Sequence, residues 1–203
     1  VSFSHLILEV NLDTEDVRTV ADIDSTGLES IRGLLFDPDN NRLLVGDPVN
    51  DAVFALDLDT QAIDLISQEG VAGAGPVLGT VISLTGSPTA SEVYVAGQAS
   101  GTVTRVNLET GDRETLATSC NLGDSSTFDG LDQVLLNEAA SEILIRGDRI
   151  YSLDLNTGEC VTVPNYAFVL QIQNASANQL LAVSFGTLMQ INRETGEIVI
   201  VSK

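Results

Sequence analysis

The chain has 203 residues, of which 29 are acidic and 9 basic, so its formal net charge is −20 at pH 7. A surface this acidic repels nucleic acid and anionic membranes, and the sequence has no apolar run of the ~18 residues that a membrane-spanning helix needs. We therefore expect no nucleic-acid partner and no membrane span. The length is sufficient for one well-buried domain, and we assign residues 1–203 to it.

A strand-pair pattern recurs five times along the chain. It is marked by threonines with the same surroundings: Thr14, Thr60, Thr110, Thr157 and Thr195. An aliphatic residue stands seven positions before each threonine, an apolar residue four before, and Asn or Asp three before. The copies are 46, 50, 47 and 38 residues apart. Repeats of this length built from short strands are typical of a β-propeller.

The marker threonine lies in a hairpin turn for which the sequence gives a mechanism. Asn or Asp bends the chain by accepting hydrogen bonds from its own backbone, and Thr does so more weakly. Gly111, Gly158 and Gly196 follow the threonine in the last three copies, where a positive φ favours glycine. Glu15 and Gln61 replace this glycine in the first two copies, so we expect those two turns to differ.

The predicted elements form one partial and four complete units in chain order. Residues 6–22 hold only an outer strand pair, whereas residues 31–67, 81–118, 133–163 and 169–201 each hold four strands. The sequence therefore predicts an all-β protein, a β-propeller with four complete four-stranded blades and an N-terminal half blade. A half blade leaves an open sheet edge, which soluble proteins avoid. We expect a larger ring with two or three upstream blades, the alternative being a five-membered ring closed by a partner chain or an unusual first blade.

The two cysteines indicate in which cellular compartment the protein is found. An even cysteine count suits an exported protein with one disulfide, so we expect a Cys120–Cys160 bridge and an extracellular or periplasmic location. Cys120 follows a fourth strand, and Cys160 begins the fourth strand of the next blade at its opposite end. Bridging them requires the segment after Cys120 to fold down the outer wall; two free thiols are the alternative.

One segment resembles the opening of a calcium loop. Asp22, Asp24 and Thr26 stand at positions 1, 3 and 5, with glycine at position 6. The twelfth residue is Gly33, where that loop needs a bidentate Glu. A site for calcium or another divalent cation is therefore one interpretation, and an ordinary Asp-rich turn is the other. The rest of the sequence indicates no cofactor.

Ligand contacts are expected on the face that carries the blade-to-blade loops and the loops between second and third strands, because loops on a regular scaffold carry function. The candidates on this face are Arg32, Asp47, Asn50, Asp51, Asp129, Asp132, Arg146 and Asp148. Arg32 and Arg146 could hold an anionic group. The alternative for each arginine is a salt bridge to one of the many surrounding acids.

Catalytic constellations are missing from the sequence. His5 is the only histidine, so no Ser-His-Asp, Cys-His or histidine-metal site can be assembled from this chain. Carboxylates could still act as acids or bases, but most of the 29 must serve surface solvation.

The best-preserved blade resembles a known superfamily. Residues 33–47 run from Gly through an Asp and an Asn-rich turn to a strand ending in Gly-Asp, and residues 50–57 add an Asn-bearing loop and a strand ending in Asp. This pattern resembles the NHL, YVTN and gluconolactonase-like propellers, as does the hairpin at 106–112. The resemblance implies the propeller fold. For the gluconolactonase-like members it also implies an axial divalent metal, for which Asp132 and Asn50 are the matching candidates here.

These observations favour a non-catalytic propeller that binds a protein or a small ligand through its loop-rich face. The alternatives are a metal-dependent, gluconolactonase-like hydrolase and a purely structural module within a larger surface protein.

Overall fold

The computed structural model describes residues 6–22, 28–86, 91–120, 128, 130–137, 141–147, 149–163, 171–176, 178–184 and 186–202. The described residues form five antiparallel sheets and no helix. The described part of the chain accordingly offers no helix able to span a membrane.

The strands follow one another in chain order within each sheet. Sheet 1 contains β1 (Leu6–Val10) and β2 (Val17–Asp22). Sheet 2 contains β3 (Gly33–Asp37), β4 (Arg42–Asp47), β5 (Ala52–Asp57) and β6 (Ile63–Gln68). Sheet 3 contains β7 (Val81–Thr85), β8 (Glu92–Gly97), β9 (Thr102–Asn107) and β10 (Arg113–Ala117). Sheet 4 contains β11 (Gln133–Asn137), β12 (Glu142–Arg146), β13 (Ile150–Asp154) and β14 (Cys160–Thr162). Sheet 5 contains β15 (Gln171–Ser176), β16 (Gln179–Ser184), β17 (Thr187–Asn192) and β18 (Ile198–Ser202).

Each complete sheet is a four-stranded meander, and the sheets pack face to face in sequence. The first strands of sheets 2 to 5 are neighbours, with β3 beside β7, β7 beside β11 and β11 beside β15. This arrangement is the β-propeller that the repeat predicts, with four complete blades and a two-stranded first sheet.

The core consists of four apolar layers, one between each successive pair of sheets. Alternate residues of a strand face opposite neighbours, so Leu44 of β4 packs toward sheet 3 while Val45 packs toward sheet 1. Sheets 3 and 4 enclose the layer that contains Phe128 and Tyr151, whose rings meet edge to face with centroids 5.4 Å apart. Burial between sheets, rather than within any one of them, stabilises the fold.

The five marker hairpins have one common geometry. In each, the side-chain oxygen of Asn or Asp accepts the backbone N–H groups two and three residues later, as Asp57 does from Asp59 at 3.0 Å and Thr60 at 2.7 Å. The expectation that the first two turns differ is wrong. Glu15 and Gln61 adopt φ values of 60° and 61°, within 15° of those of the three glycines. The side-chain and backbone hydrogen bonds of the turn therefore hold a non-glycine residue in the left-handed region.

A disulfide joins Cys120 to Cys160, with their Cα atoms 5.0 Å apart. Cys120 follows the last strand of sheet 3 and is fully buried, and Cys160 begins the last strand of sheet 4. The bridge therefore links the outer parts of two neighbouring sheets beside the Phe128–Tyr151 layer.

Candidate functional site

The first strands of the complete sheets line one side of an open central cavity of about 460 Å³. Its wall consists of residues from β3, β7, β11 and the start of β15, with Arg32, Asp132 and Arg146 at one end. These three residues lie where the first strands begin and the second strand of sheet 4 ends, on the face that carries the blade-to-blade loops. We refer to Arg32, Asp132 and Arg146 as the channel mouth.

Arg146 and Asp132 form an ion pair within sheet 4. Arg146 Nη2 lies 2.7 Å from Asp132 Oδ1, and the Asp132 N–H donates to the Arg146 carbonyl at 3.0 Å. Burial raises the pKa of Asp132 above its ordinary value, and the Arg146 guanidinium offsets part of this rise. For Arg146, the structure therefore shows the expected alternative to anion binding, a salt bridge to a neighbouring acid.

Gln133 fixes this pair relative to sheet 5. Its Oε1 accepts from Arg146 Nε at 3.4 Å and from the Ile172 N–H at 3.1 Å, while its Nε2 donates to the Ile172 carbonyl at 3.0 Å. One amide side chain therefore connects the guanidinium to the backbone of the next blade, which orients the charged end of the cavity.

Arg32 has a different environment. Its backbone N–H donates to the Gly46 carbonyl at 3.1 Å, but its exposed side chain makes no hydrogen bond or ion pair with any described residue. The next residue, Gly33, allows the close packing of β3 on β7, because a Cβ there would lie 3.0 Å from the Leu84 nitrogen. Arg32 thus projects from the first position beyond a tightly packed inner strand.

Three other candidates form the loop after β4 instead of a ligand surface. Asp47 is fully buried and accepts N–H groups from Val49 at 2.9 Å, Asn50 at 3.1 Å and Glu29 at 3.0 Å, and the Asn50 amide at 2.8 Å. Burial opposes the charge of Asp47, but these hydrogen bonds outweigh it and hold the pKa of the carboxyl below its usual range. Asp51, at φ 50°, accepts the Thr80 N–H. This loop is therefore fastened by the side chains that the sequence offers as ligands.

Of the remaining candidates, the structure describes only Asp22. Asp129, Asp148, Asp24 and Thr26 lie outside the described residues. Asp22 is exposed at the end of β2. The predicted calcium loop therefore cannot be assembled from the described residues, among which no three acidic, histidine or cysteine side chains gather as a metal site.

The axial metal implied by the gluconolactonase-like resemblance does not fit the residues at the cavity. Asp132 lines the cavity but faces Arg146, and Asn50 is absent from its wall and donates its amide to Asp47. Asp132 is paired with a cation and Asn50 is bonded to Asp47, so the two do not form a divalent-cation site among the described residues.

Sequence reasoning missed two groups of polar residues. The hydroxyls of Ser83 and Thr85 accept the N–H groups of Val134 and Leu136 at 3.2 and 3.0 Å, which joins the inner strands of sheets 3 and 4. Polar residues alternating along the predicted first strand were the available signal.

Arg113 and its partners are the second polar group that sequence reasoning missed. Arg113 is buried and donates to the Pro76 carbonyl, the Ser67 hydroxyl and the Ala72 carbonyl at 2.7, 2.8 and 2.8 Å, which fastens the Gly-rich connection between sheets 2 and 3. The other sheets have an aliphatic residue or cysteine at this strand position: Ile63, Cys160 and Ile198. The sequence therefore shows an arginine at a strand position that is apolar in the other complete sheets, but it does not show which residues this arginine contacts.

Comparisons with known proteins identify the fold and no family. No protein-family model and no curated protein matches the chain. A chain in the crystal structure of a nidogen/laminin complex is similar over 98% of this chain and 73% of that chain, with a TM-score of 0.72 and 13% identity. Hydrazine synthase from Kuenenia stuttgartiensis is similar over 87% of this chain and 51% of that chain, with a TM-score of 0.62 and 15% identity. At these identities the likeness shows the fold alone: this chain is a β-propeller.

Proposed function

We propose that this chain is a non-catalytic interaction module of an exported protein, and that its channel mouth binds an anionic group of a small ligand or protein partner. The observation that carries the proposal is the side chain of Arg32, which is exposed beside the cavity and makes no polar contact with the described residues.

The charge balance makes this arginine unusual. With 29 acidic and 9 basic residues, carboxylate partners are abundant. Other arginines are paired accordingly, such as Arg18 with Glu9 and Arg42 with Asp37. A planar guanidinium presents donors in a fork that matches carboxylate and phosphate oxygens. Arg32 thus has no carboxylate partner among the described residues, and an anionic group bound at the channel mouth would supply one.

The cavity beside Arg32 suits a ligand. Its volume of about 460 Å³ lies within the range of small-molecule sites, and more than half of its wall is polar, which favours a charged or strongly polar ligand. Arg146 and Gln133 supply polar groups in an orientation fixed by their mutual contact. The hydroxyls of Ser83 and Thr85, which also line the cavity, accept backbone N–H groups of sheet 4.

Two further observations support export and a protein partner. The Cys120–Cys160 disulfide suits an oxidising compartment. One of the similar structures is that of a nidogen/laminin complex, in which propeller and partner are both proteins.

Thermal unfolding with inorganic phosphate and citrate tests the proposal. A ligand that binds only the folded state raises Tm, so we expect both anions to stabilise the wild type and Arg32→Gln to weaken binding about tenfold or more, the loss of one charge-assisted contact. Arg18→Gln is the matched control, because Arg18 is exposed and lies on sheet 1. Unchanged Tm in the wild type, or equal stabilisation of Arg32→Gln, would contradict the anion site.

A further inference from the structure

Sheet 5 has an apolar face that is uncovered, although the same face is covered in the other complete sheets. Leu44, Tyr94 and Leu144 occupy one position of the second strand and are 1%, 7% and 0% exposed beneath the next sheet. The corresponding residue of sheet 5 is Leu181, which is only partly buried, and Val183 on the same face is 38% exposed. Sheet 5 therefore carries the surface of a blade that packs against a following blade.

Sheet 1 has the complementary uncovered face. Ile7 packs toward sheet 2, so the alternating residues Leu8 and Val10 face the other way, each 52% exposed. Val17, paired with Val10, is 60% exposed. In the complete sheets the position of Val10 is at most 2% exposed: Leu56, Val106, Leu153 and Ile191. Sheet 1 thus carries the surface of a blade that packs against a preceding blade.

The inner edge of sheet 1 is also open. Among the described strands β1 pairs with β2 alone, whereas β5, β9, β13 and β17 each pair with a second strand as well. Beside this edge, Leu34 and Phe36 of β3 are 48% and 50% exposed. The residues that match Leu34 in the other sheets are 7%, 2% and 2% exposed: Leu84, Val134 and Ile172. The uncovered part of β3 is where an inner strand pair of sheet 1 would lie.

We propose that these surfaces are covered by about one and a half further blades of the same polypeptide, fewer than the two or three expected from the sequence: a strand pair that hydrogen-bonds to β1, and one four-stranded sheet between it and sheet 5. The three sheet-to-sheet layers between sheets 2 and 5 are the template for the contact. The size follows from the nidogen/laminin structure, in which 98% of this chain spans 73% of a propeller-containing chain. A second copy would bring four complete sheets, which is more than the one and a half blades that this coverage leaves.

Substitutions at Val10 and Val161 test the inference, in the 203-residue chain and in the natural polypeptide. Val161 is 45% exposed on β14, the outermost strand of a sheet covered on both faces, and serves as the control. In the natural polypeptide we expect Val10→Lys to lower Tm by about 5–10 °C, because a buried lysine has no partner there. Val161→Lys changes Tm by about 2 °C or less, as both substitutions do in the 203-residue chain.

Hydrogen exchange tests the inference without any substitution, so its result does not depend on whether a variant folds. We expect the β1 amides that point away from β2 to exchange quickly in the 203-residue chain and at least 100-fold more slowly in the natural polypeptide. An intact mass of 21.4 kDa for the natural polypeptide would overturn the proposal, as would Val10→Lys being silent in both forms. A dimer of the 203-residue chain that Val10→Lys dissociates would also overturn it, in favour of a second copy.

Discussion

Removing the disulfide should separate the contribution of the cross-link from that of the packing around it. Cys120 and Cys160 are 40 residues apart and connect sheets 3 and 4. In the chain-entropy relation, closing a loop of this length lowers the free energy of folding by about 4 kcal/mol. Replacing the buried Cys120 by Ala adds a cavity term of about 1 kcal/mol. Since domains are stable by about 5–15 kcal/mol, the combined loss is a large fraction of the total.

Urea unfolding followed by circular dichroism measures both terms. The oxidised wild type, the reduced wild type and Cys120→Ala/Cys160→Ala form the series, and the reduced protein retains both sulfur atoms. We expect the oxidised and reduced forms to differ by about 4 kcal/mol, which is the cross-link. The double variant should fall about 1 kcal/mol below the reduced form, which is the packing.

The reasoning would be refuted if the oxidised and reduced forms unfolded at the same urea concentration. Two free thiols per chain, titrated under denaturing conditions without reductant, would show independently that the bridge does not form. A double variant as stable as the oxidised protein would contradict both terms.

Three further predictions concern the structural residues. Arg113→Met should lower the free energy of unfolding by about 3 kcal/mol in urea, because buried oxygens of residues 67–76 lose their donor; Arg105→Met, at an exposed salt bridge, should cost about 1 kcal/mol or less. Gly73→Ala should lower Tm by several degrees, since a Cβ there would lie 1.9 Å from the Gly111 oxygen and φ is +71°. Asp47→Asn should destabilise most at pH 7 and progressively less below about pH 4 in acid titrations. The folded-state pKa of Asp47 is depressed, so its stabilising charge is present above the unfolded pKa and lost as pH falls through the folded one.

The propeller could be predicted from the sequence because its blades repeat the same local chemistry. Asn or Asp with Thr three residues later encodes the hairpin completely, and the structure uses those oxygens as acceptors in all five copies, from Asn11 to Asn192. The prediction failed at Glu15 and Gln61 because a φ near 60° was attributed to glycine alone. The turn's own hydrogen bonds compensate for the cost of that conformation.

The candidate site was predictable only in part, because its geometry depends on contacts between blades. Strand ends brought Arg32, Asp132 and Arg146 to one face, as alternation and strand order required. The sequence did not predict which of the two arginines forms an ion pair, because this depends on where the side chains lie. In the structure Asp132 pairs with Arg146. The function of Arg113 depended on a connection about 40 residues earlier in the chain, whose path no local pattern encodes.

The chain's eight arginines make one measurement decisive for the anion site. NMR spectra of the arginine Nε–Hε groups would resolve these side chains individually, and Arg32→Gln assigns one signal by its loss. During a titration with inorganic phosphate, the Arg32 signal should move most, followed by that of Arg146 on the same cavity wall. Shifts of equal size at the exposed Arg18 and Arg105, or none at Arg32, would contradict an anion site at the channel mouth.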